Sequence, residues 1–234
     1  MPNVKSEYLM KRDYYLKRHQ EYIAARQTYL NYQTLQTKEN LTKKLKQFLI
    51  ARNEFLKSYF LVLLSGKESF LPMADSIAAI RFWINWLDQE TKQIDSAESL
   101  EQLFIFADRL KNKYPEIERA IFIFLTKFTI SQQNHIIEKI KQLIIEIKNE
   151  LKALNQDSRH TFDWLDEIVN QLPSIEEKQR LALEIIEKTR VSKISKIGRM
   201  KVSWRKSKKL LLEANFQLEE TIGFLDEIIV SLGQ

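Results

Sequence analysis

The sequence predicts an all-α protein, an elongated antiparallel helical bundle or coiled coil with at least one very long helix. Three observations predict it. Glycine and proline occur four times each in 234 residues, where average usage gives roughly 16 and 12, and few turn-formers mean few turns and long elements. Apolar residues recur in alternating steps of three and four along most of the chain, the period of a helical face. Nowhere does strict apolar–polar alternation bounded by turn residues mark a strand. With 44% hydrophobic and 29% charged residues, the chain can fold and bury a core.

Residues 1–65 read as a long N-terminal coiled-coil arm. Over 7–34 the chain repeats every seven residues: EYLMKRD, YYLKRHQ, EYIAARQ, TYLNYQT. Tyr8, Tyr15, Tyr22 and Tyr29 share one heptad position, and Leu9, Leu16, Ile23 and Leu30 share the next. Arg12, His19 and Arg26 follow the first three tyrosines by four residues, a spacing that permits cation–π pairs. The stripe continues as Leu41, Leu45, Phe48, Arg52, Phe55, Tyr59 and Val62. One helix over about 5–64 is therefore expected, roughly 90 Å long. A seam of tyrosine, leucine and arginine is too polar for a dry core, and tyrosine suits half-buried interfaces. Tyr8, Leu9, Arg12, Tyr15, Leu16, Tyr22, Ile23, Arg26, Tyr29 and Leu30 form the expected association surface, facing another copy or a helical partner.

Residues 66–114 read as short helical segments. Gly66 and Pro72 punctuate the end of the arm. A helix over 74–94 carries Ile77, Ile80, Trp83, Ile84 and Leu87 on one face, and Trp83 with Trp86 reads as core packing. Asp95 with Glu98 reads as a cap opening a short helix to about Lys113. Pro115 then opens a long helix over 115–156, with Ile137, Ile140, Ile144, Ile147, Leu151 and Leu154 in clean alternation.

Residues 157–234 read as a C-terminal helical hairpin. Residues 155–158 break the pattern, and a short helix with Phe162, Trp164, Leu165 and Ile168 follows. After Pro173, Ser174 and Glu177 form a capping box that opens the final helix. Its seam is Leu211, Asn215, Leu218, Ile222, Leu225, Ile229 and Leu232. Counted backwards, that register passes through Lys208, Trp204, Lys201, Ile197 and Ile194. Asn215 at such a position fixes register at a cost in stability. Gly198 costs roughly 1 kcal/mol against alanine without stopping the helix.

The basic tract 188–209 lies in that helix. It holds Lys188, Arg190, Lys193, Lys196, Arg199, Lys201, Arg205, Lys206, Lys208 and Lys209 and no acidic residue, in a chain of net charge +6. Such a block raises the local potential and favours a polyanion such as nucleic acid, or an acidic protein. Residues 1–52 add eleven basic against four acidic side chains. Acidic flanks oppose the tract: seven acidic against three basic over 158–187, and five against none over 210–234.

Candidate chemistry is sparse. Cysteine is absent, which removes disulfides and thiolate ligands and fits a reducing compartment. The first residues carry no apolar leader, and the longest apolar runs, 59–64 and 120–125, fall far short of a bilayer span. A cytoplasmic location without membrane insertion is the expectation. His160 and Asp163 lie one turn apart near Asp166 and Glu167, but metals need three or four converging ligands. His19 and His135 lack zinc-site spacing, and Gly66, Gly198, Gly223 and Gly233 are too scattered to cradle a phosphate. No catalytic, cofactor-binding or metal-binding residue is expected. The chain reads as a non-enzymatic scaffold or assembly protein acting through coiled-coil interactions. The alternative is a nucleic-acid-associated protein gripping the phosphate backbone non-specifically through 188–209.

Overall fold

A computed structural model describes residues 3–65, 73–153, 159–189 and 198–232. Among them are six α-helices and no strand: α1 Val4–Tyr32, α2 Leu35–Leu64, α3 Ala74–Asp95, α4 Leu100–Ala153, α5 Arg159–Glu187 and α6 Gly198–Leu232. The chain divides into two compact units, Met1–Ala120 and Ile121–Gln234, each a helical bundle with its own core. The long helix that the composition requires is α4, at 54 residues.

In the first unit, the single helix expected over 5–64 is two. Gln33 takes a left-handed conformation (φ 42°) with its N–H on the Tyr29 carbonyl, and Thr34 caps α2 through reciprocal bonds with Thr37. A left-handed residue other than glycine costs about 1–2 kcal/mol, which the packing of the two helices offsets. The reversal needs neither glycine nor proline, so their scarcity does not reveal it. Pairs Lys11–Glu54 (3.2 Å) and Lys44–Glu21 (2.9 Å) show that α1 and α2 run antiparallel. The other side of α2 meets α3, where Asn53 donates to Thr91 (3.3 Å) and Lys57 pairs with Asp88 (2.7 Å). Leu41, Leu45 and Leu49 pack with Ile94, Leu100 and Leu103 in one cluster. Ile77, Ile80, Trp83 and Leu87 are buried as read, and Trp83 meets Trp86 edge-on at 5.7 Å.

The start of α4 differs from expectation. Asp95 is the last residue of α3, and the cap is Ser99, whose Oγ accepts from the Gln102 N–H (3.2 Å). Gln102 Oε1 in turn accepts from the Glu98 N–H (2.8 Å). No helix ends near Lys113, and Pro115 lies inside α4 rather than opening a helix. Proline leaves the carbonyl four residues back without its helical donor. Leu103, Leu110 and Ile117, seven apart, nevertheless carry one buried stripe across it.

The second unit packs α4 from Ile121 onward with α5 and α6. Ile137, Ile140, Ile144, Ile147 and Leu151 meet Leu165, Ile168, Leu172 and Ile175 of α5, and Ala214, Leu218, Leu225 and Ile228 of α6. Leu154 lies outside the described residues. Pro173 is interior to α5, so Ser174 opens no helix. The final helix does not run from there through the basic tract: α5 ends at Glu187, where the Lys188 and Thr189 N–H groups close on the Glu184 and Ile186 carbonyls. Ile194 and Ile197 are outside the described residues.

The seam of α6 is also shifted. Met200, Ser207, Leu211, Ala214, Leu218, Thr221, Leu225 and Ile228 are buried, whereas Ile222 and Ile229 are 46% and 42% exposed. Half of the expected register survives, at 211, 218 and 225. The other half moves one residue back onto Ala214, Thr221 and Ile228, and at the first two a small side chain lets neighbouring helices approach. That shift turns Lys201 and Lys208 out of the seam and into solvent.

Candidate functional site

Three surfaces concentrate the features that bear on function. The first is on α1. The expected tyrosine row is not free for a partner, because Tyr8, Tyr15, Tyr22 and Tyr29 are half-buried against their own chain. Tyr8 stacks on Phe55 at 5.5 Å, Tyr15 on Phe55 at 5.3 Å and Tyr22 on Phe48 at 5.2 Å. The neighbouring heptad position stays open. Leu9, Leu16, Ile23 and Leu30 are 39%, 48%, 46% and 51% exposed, an apolar ladder spanning about 32 Å of helix. Arg12, His19 and Arg26 are exposed along one edge of it and Asp13, Gln20 and Gln27 along the other. Arg12 turns its guanidinium to Asp13 (2.9 Å), not to a tyrosine; the cation–π contact on this helix is Arg18 over Tyr14 at 4.7 Å.

Under the tyrosine row lies Arg52. Its Nε and Nη2 are fully enclosed without a hydrogen-bond acceptor. Burial pushes its pKa down to about 10, against the pull of Tyr15 and Glu90. Burial likewise holds the Tyr59 and Tyr114 hydroxyls above their ordinary range. Around Arg52 the contacts are those of a packed aromatic interface, with Tyr8, Tyr15 and Tyr22 stacked on Phe48 and Phe55.

The second surface is the start of α6. Lys201, Arg205 and Lys208 follow one face at intervals of about one turn, with Lys206 and Lys209 beside them, and all five are exposed. Lys209 reaches Glu213 at 3.8 Å, and Lys188, at the end of α5, pairs with Glu184. Among the described residues no ion pair involves Lys201, Arg205, Lys206 or Lys208. The opposite face is fixed by Ser207, fully buried opposite Thr126, and by Trp204, whose ring stacks on Phe122 at 4.9 Å and 1°. Arg190, Lys193 and Lys196 lie outside the described residues, as does the side chain of Arg199.

The third surface escaped the reading by period. The segment TFDWLDEIVNQL at 161–172 recurs as TIGFLDEIIVSL at 221–232, six of twelve positions being identical. The copies sit on α5 and α6, which run antiparallel. Between them opens a cavity of about 440 Å³ lined by Trp164, Glu167, Ile168 and Gln171 from one copy and Phe224, Glu227, Ile228 and Ser231 from the other. The spacing 0, 3, 4, 7 is the same on both helices. Trp164 and Phe224 are 53% and 52% exposed. The signal that finds this site is the repeat itself, sixty residues apart, rather than any catalytic motif.

His160 and Asp163 are both exposed, and Asp166 pairs with Lys148. Among the described residues no three His, Asp or Glu side chains gather as a metal site, and no helix is long and apolar enough to cross a membrane. Comparisons with protein-family models, with curated proteins and with solved structures find no match.

Proposed function

We propose that this chain is a non-catalytic helical adaptor that docks a partner helix along α1. The observation that carries the reading is the ladder Leu9, Leu16, Ile23 and Leu30: four large apolar side chains at strict heptad spacing, left open while the adjacent tyrosines are consumed by α2. One apolar position per heptad supplies half of the seam of a coiled coil, and a row of exposed apolar side chains marks interaction sites. Arg12 is held by Asp13, so the positive charge left along the ladder is that of Arg26. The partner that fits is a helix with an apolar residue every seventh position and a carboxylate placed to meet Arg26.

A second reading rests on Lys201, Arg205, Lys206 and Lys208, exposed and unengaged by acidic side chains of the described chain. Spaced along one helix, such cations suit a phosphate backbone rather than base edges, and that binding is sequence-blind and salt-sensitive. Size-exclusion chromatography with light scattering, run with duplex DNA or RNA and separately with an acidic heptad helix, tests both. A mass increase that needs nucleic acid favours the second reading. One that needs the acidic helix favours the first.

A further inference from the structure

The two copies of the T-x-x-aromatic-Leu-Asp-Glu-Ile segment face each other across the α5–α6 pair. The register set by Thr189 and Ser203 (2.9 Å), continued along the antiparallel helices, brings Trp164 level with Ile228 and Ile168 level with Phe224. Each aromatic thus stands beside the other helix's isoleucine, and the groove has an approximate internal two-fold. Leu165 and Leu225, the residues after the aromatics, are buried at 0% and 3% exposure and anchor both walls in the core.

We propose that this groove is a docking site for a basic amphipathic helix, bound by inserting a bulky apolar side chain between Trp164 and Phe224. The volume, about 440 Å³, suits one or two large side chains, and an apolar helix face laid into a groove is a recurring recognition mode. Charge selects the occupant. Glu167 and Glu227 stand at the groove, and among the described residues neither makes an ion pair. Asp163 and Glu220, each about one turn from a lining residue, extend the same sign around it, and no lysine or arginine occurs over 210–232. A second copy of the groove placed face to face would set carboxylate against carboxylate. A helix with lysine or arginine flanking its apolar stripe places cations against Glu167 and Glu227. This surface is separate from the α1 ladder and of opposite charge, so the two would hold different partners.

The test uses the full chain and a labelled synthetic helix of about four turns built from leucine and lysine in amphipathic order. Two controls are a peptide of the same composition in scrambled order and one with every lysine replaced by glutamate. Fluorescence anisotropy is expected to show saturable binding of the amphipathic basic peptide alone. E167K/E227K and, separately, W164S/F224S should each weaken it by about tenfold or more, since a central aromatic anchor and its charged rim dominate such sites. All four side chains lie at the surface, so circular dichroism melting should stay near that of the parent, and E167K/E227K decides the matter if the aromatic variant unfolds. Equal binding of the scrambled or acidic peptide overturns the proposal. So does parental affinity in both double variants, or a protein that binds none of the peptides.

Discussion

Gln133 Nε2 donates to Asn215 Oδ1 at 2.7 Å, joining α4 to α6 inside the second unit. The same amide donates to the Leu211 carbonyl at 2.9 Å, and Gln133 Oε1 accepts from Gln179 Nε2 at 3.1 Å, so one layer ties all three helices. Gln133 and Gln179 are 1% and 5% exposed. Buried polar layers of this kind select one register against slipped alternatives, because a slip leaves amides unpaired in a dry interior.

Removing one member of that layer should therefore hurt more than removing all of it. Gln133→Leu strands the Gln179 amide and should cost about 1–3 kcal/mol in denaturant unfolding. The triple change Q133L/Q179L/N215L should recover most of that loss while broadening the amide spectrum by NMR, as register loosens. A single variant as stable as the parent would mean the layer contributes nothing.

Arg52 offers the opposite experiment. Its Nε and Nη2 are enclosed without acceptors, although the side chain as a whole is only half-buried. Arg52→Met keeps the packing on Phe48, now a cation–π contact at 6.0 Å, and removes the stranded donors. Stability should rise by about 1–2 kcal/mol in the same unfolding assay. A fall of that size would show that attraction to Glu90 outweighs the unmet hydrogen bonds.

Acid should loosen the α1–α2 hairpin through Glu21. Hydrogen bonds from Lys44, then Arg18, hold its carboxyl below the usual range. A lowered folded-state pKa means the stabilisation is present above the unfolded value and is lost as pH falls through the folded one. Melting temperature should thus decline as pH falls through and below the ordinary glutamate range, and Glu21→Gln should flatten part of that decline while lowering stability at neutral pH. Identical pH profiles for parent and variant would contradict the assignment.

The fold class was legible in the sequence because apolar spacing and the shortage of breakers both act over long segments. The buried faces of α3 and of α4 beyond Ile137 were readable for the same reason. Several helix ends were not, although both ends of α3 and the end of α2 fell where the sequence put them. Gln33 reverses the chain by adopting a conformation that its residue type does not advertise, and Pro115 is absorbed because Leu110 and Ile117 pack on either side of it. On α6 the seam runs over Ser207, Ala214 and Thr221, which a count of large apolar residues passes by in favour of Ile222 and Ile229. At α1 the heptads named the right helix, but packing divided the two stripes: rings that stack on Phe48 and Phe55 went inward, and the aliphatic row stayed out.

For the basic face of α6, charge reversal gives a direct readout. K201E/R205E/K208E alters exposed residues only and should leave the melting temperature within about 1 °C of the parent, surface changes being small in effect. If the face binds phosphates, affinity for all duplex sequences should fall together, and the salt dependence should lose roughly 0.9 counterion per contact removed. A parent that ignores nucleic acid at low ionic strength eliminates that reading.

The α1 ladder is tested most directly by sedimentation of the full chain against L9Q/L16Q/I23Q/L30Q, each mixed with a synthetic heptad helix bearing leucine at every seventh position and glutamate between. None of the four side chains belongs to the buried core cluster around α1 and α2, so the variant should still fold, with a melting temperature close to the parent's. The parent should sediment as a complex with the acidic helix and the variant as free protein. A parent that forms no complex with this helix, or a variant that binds it equally well, would contradict the adaptor reading.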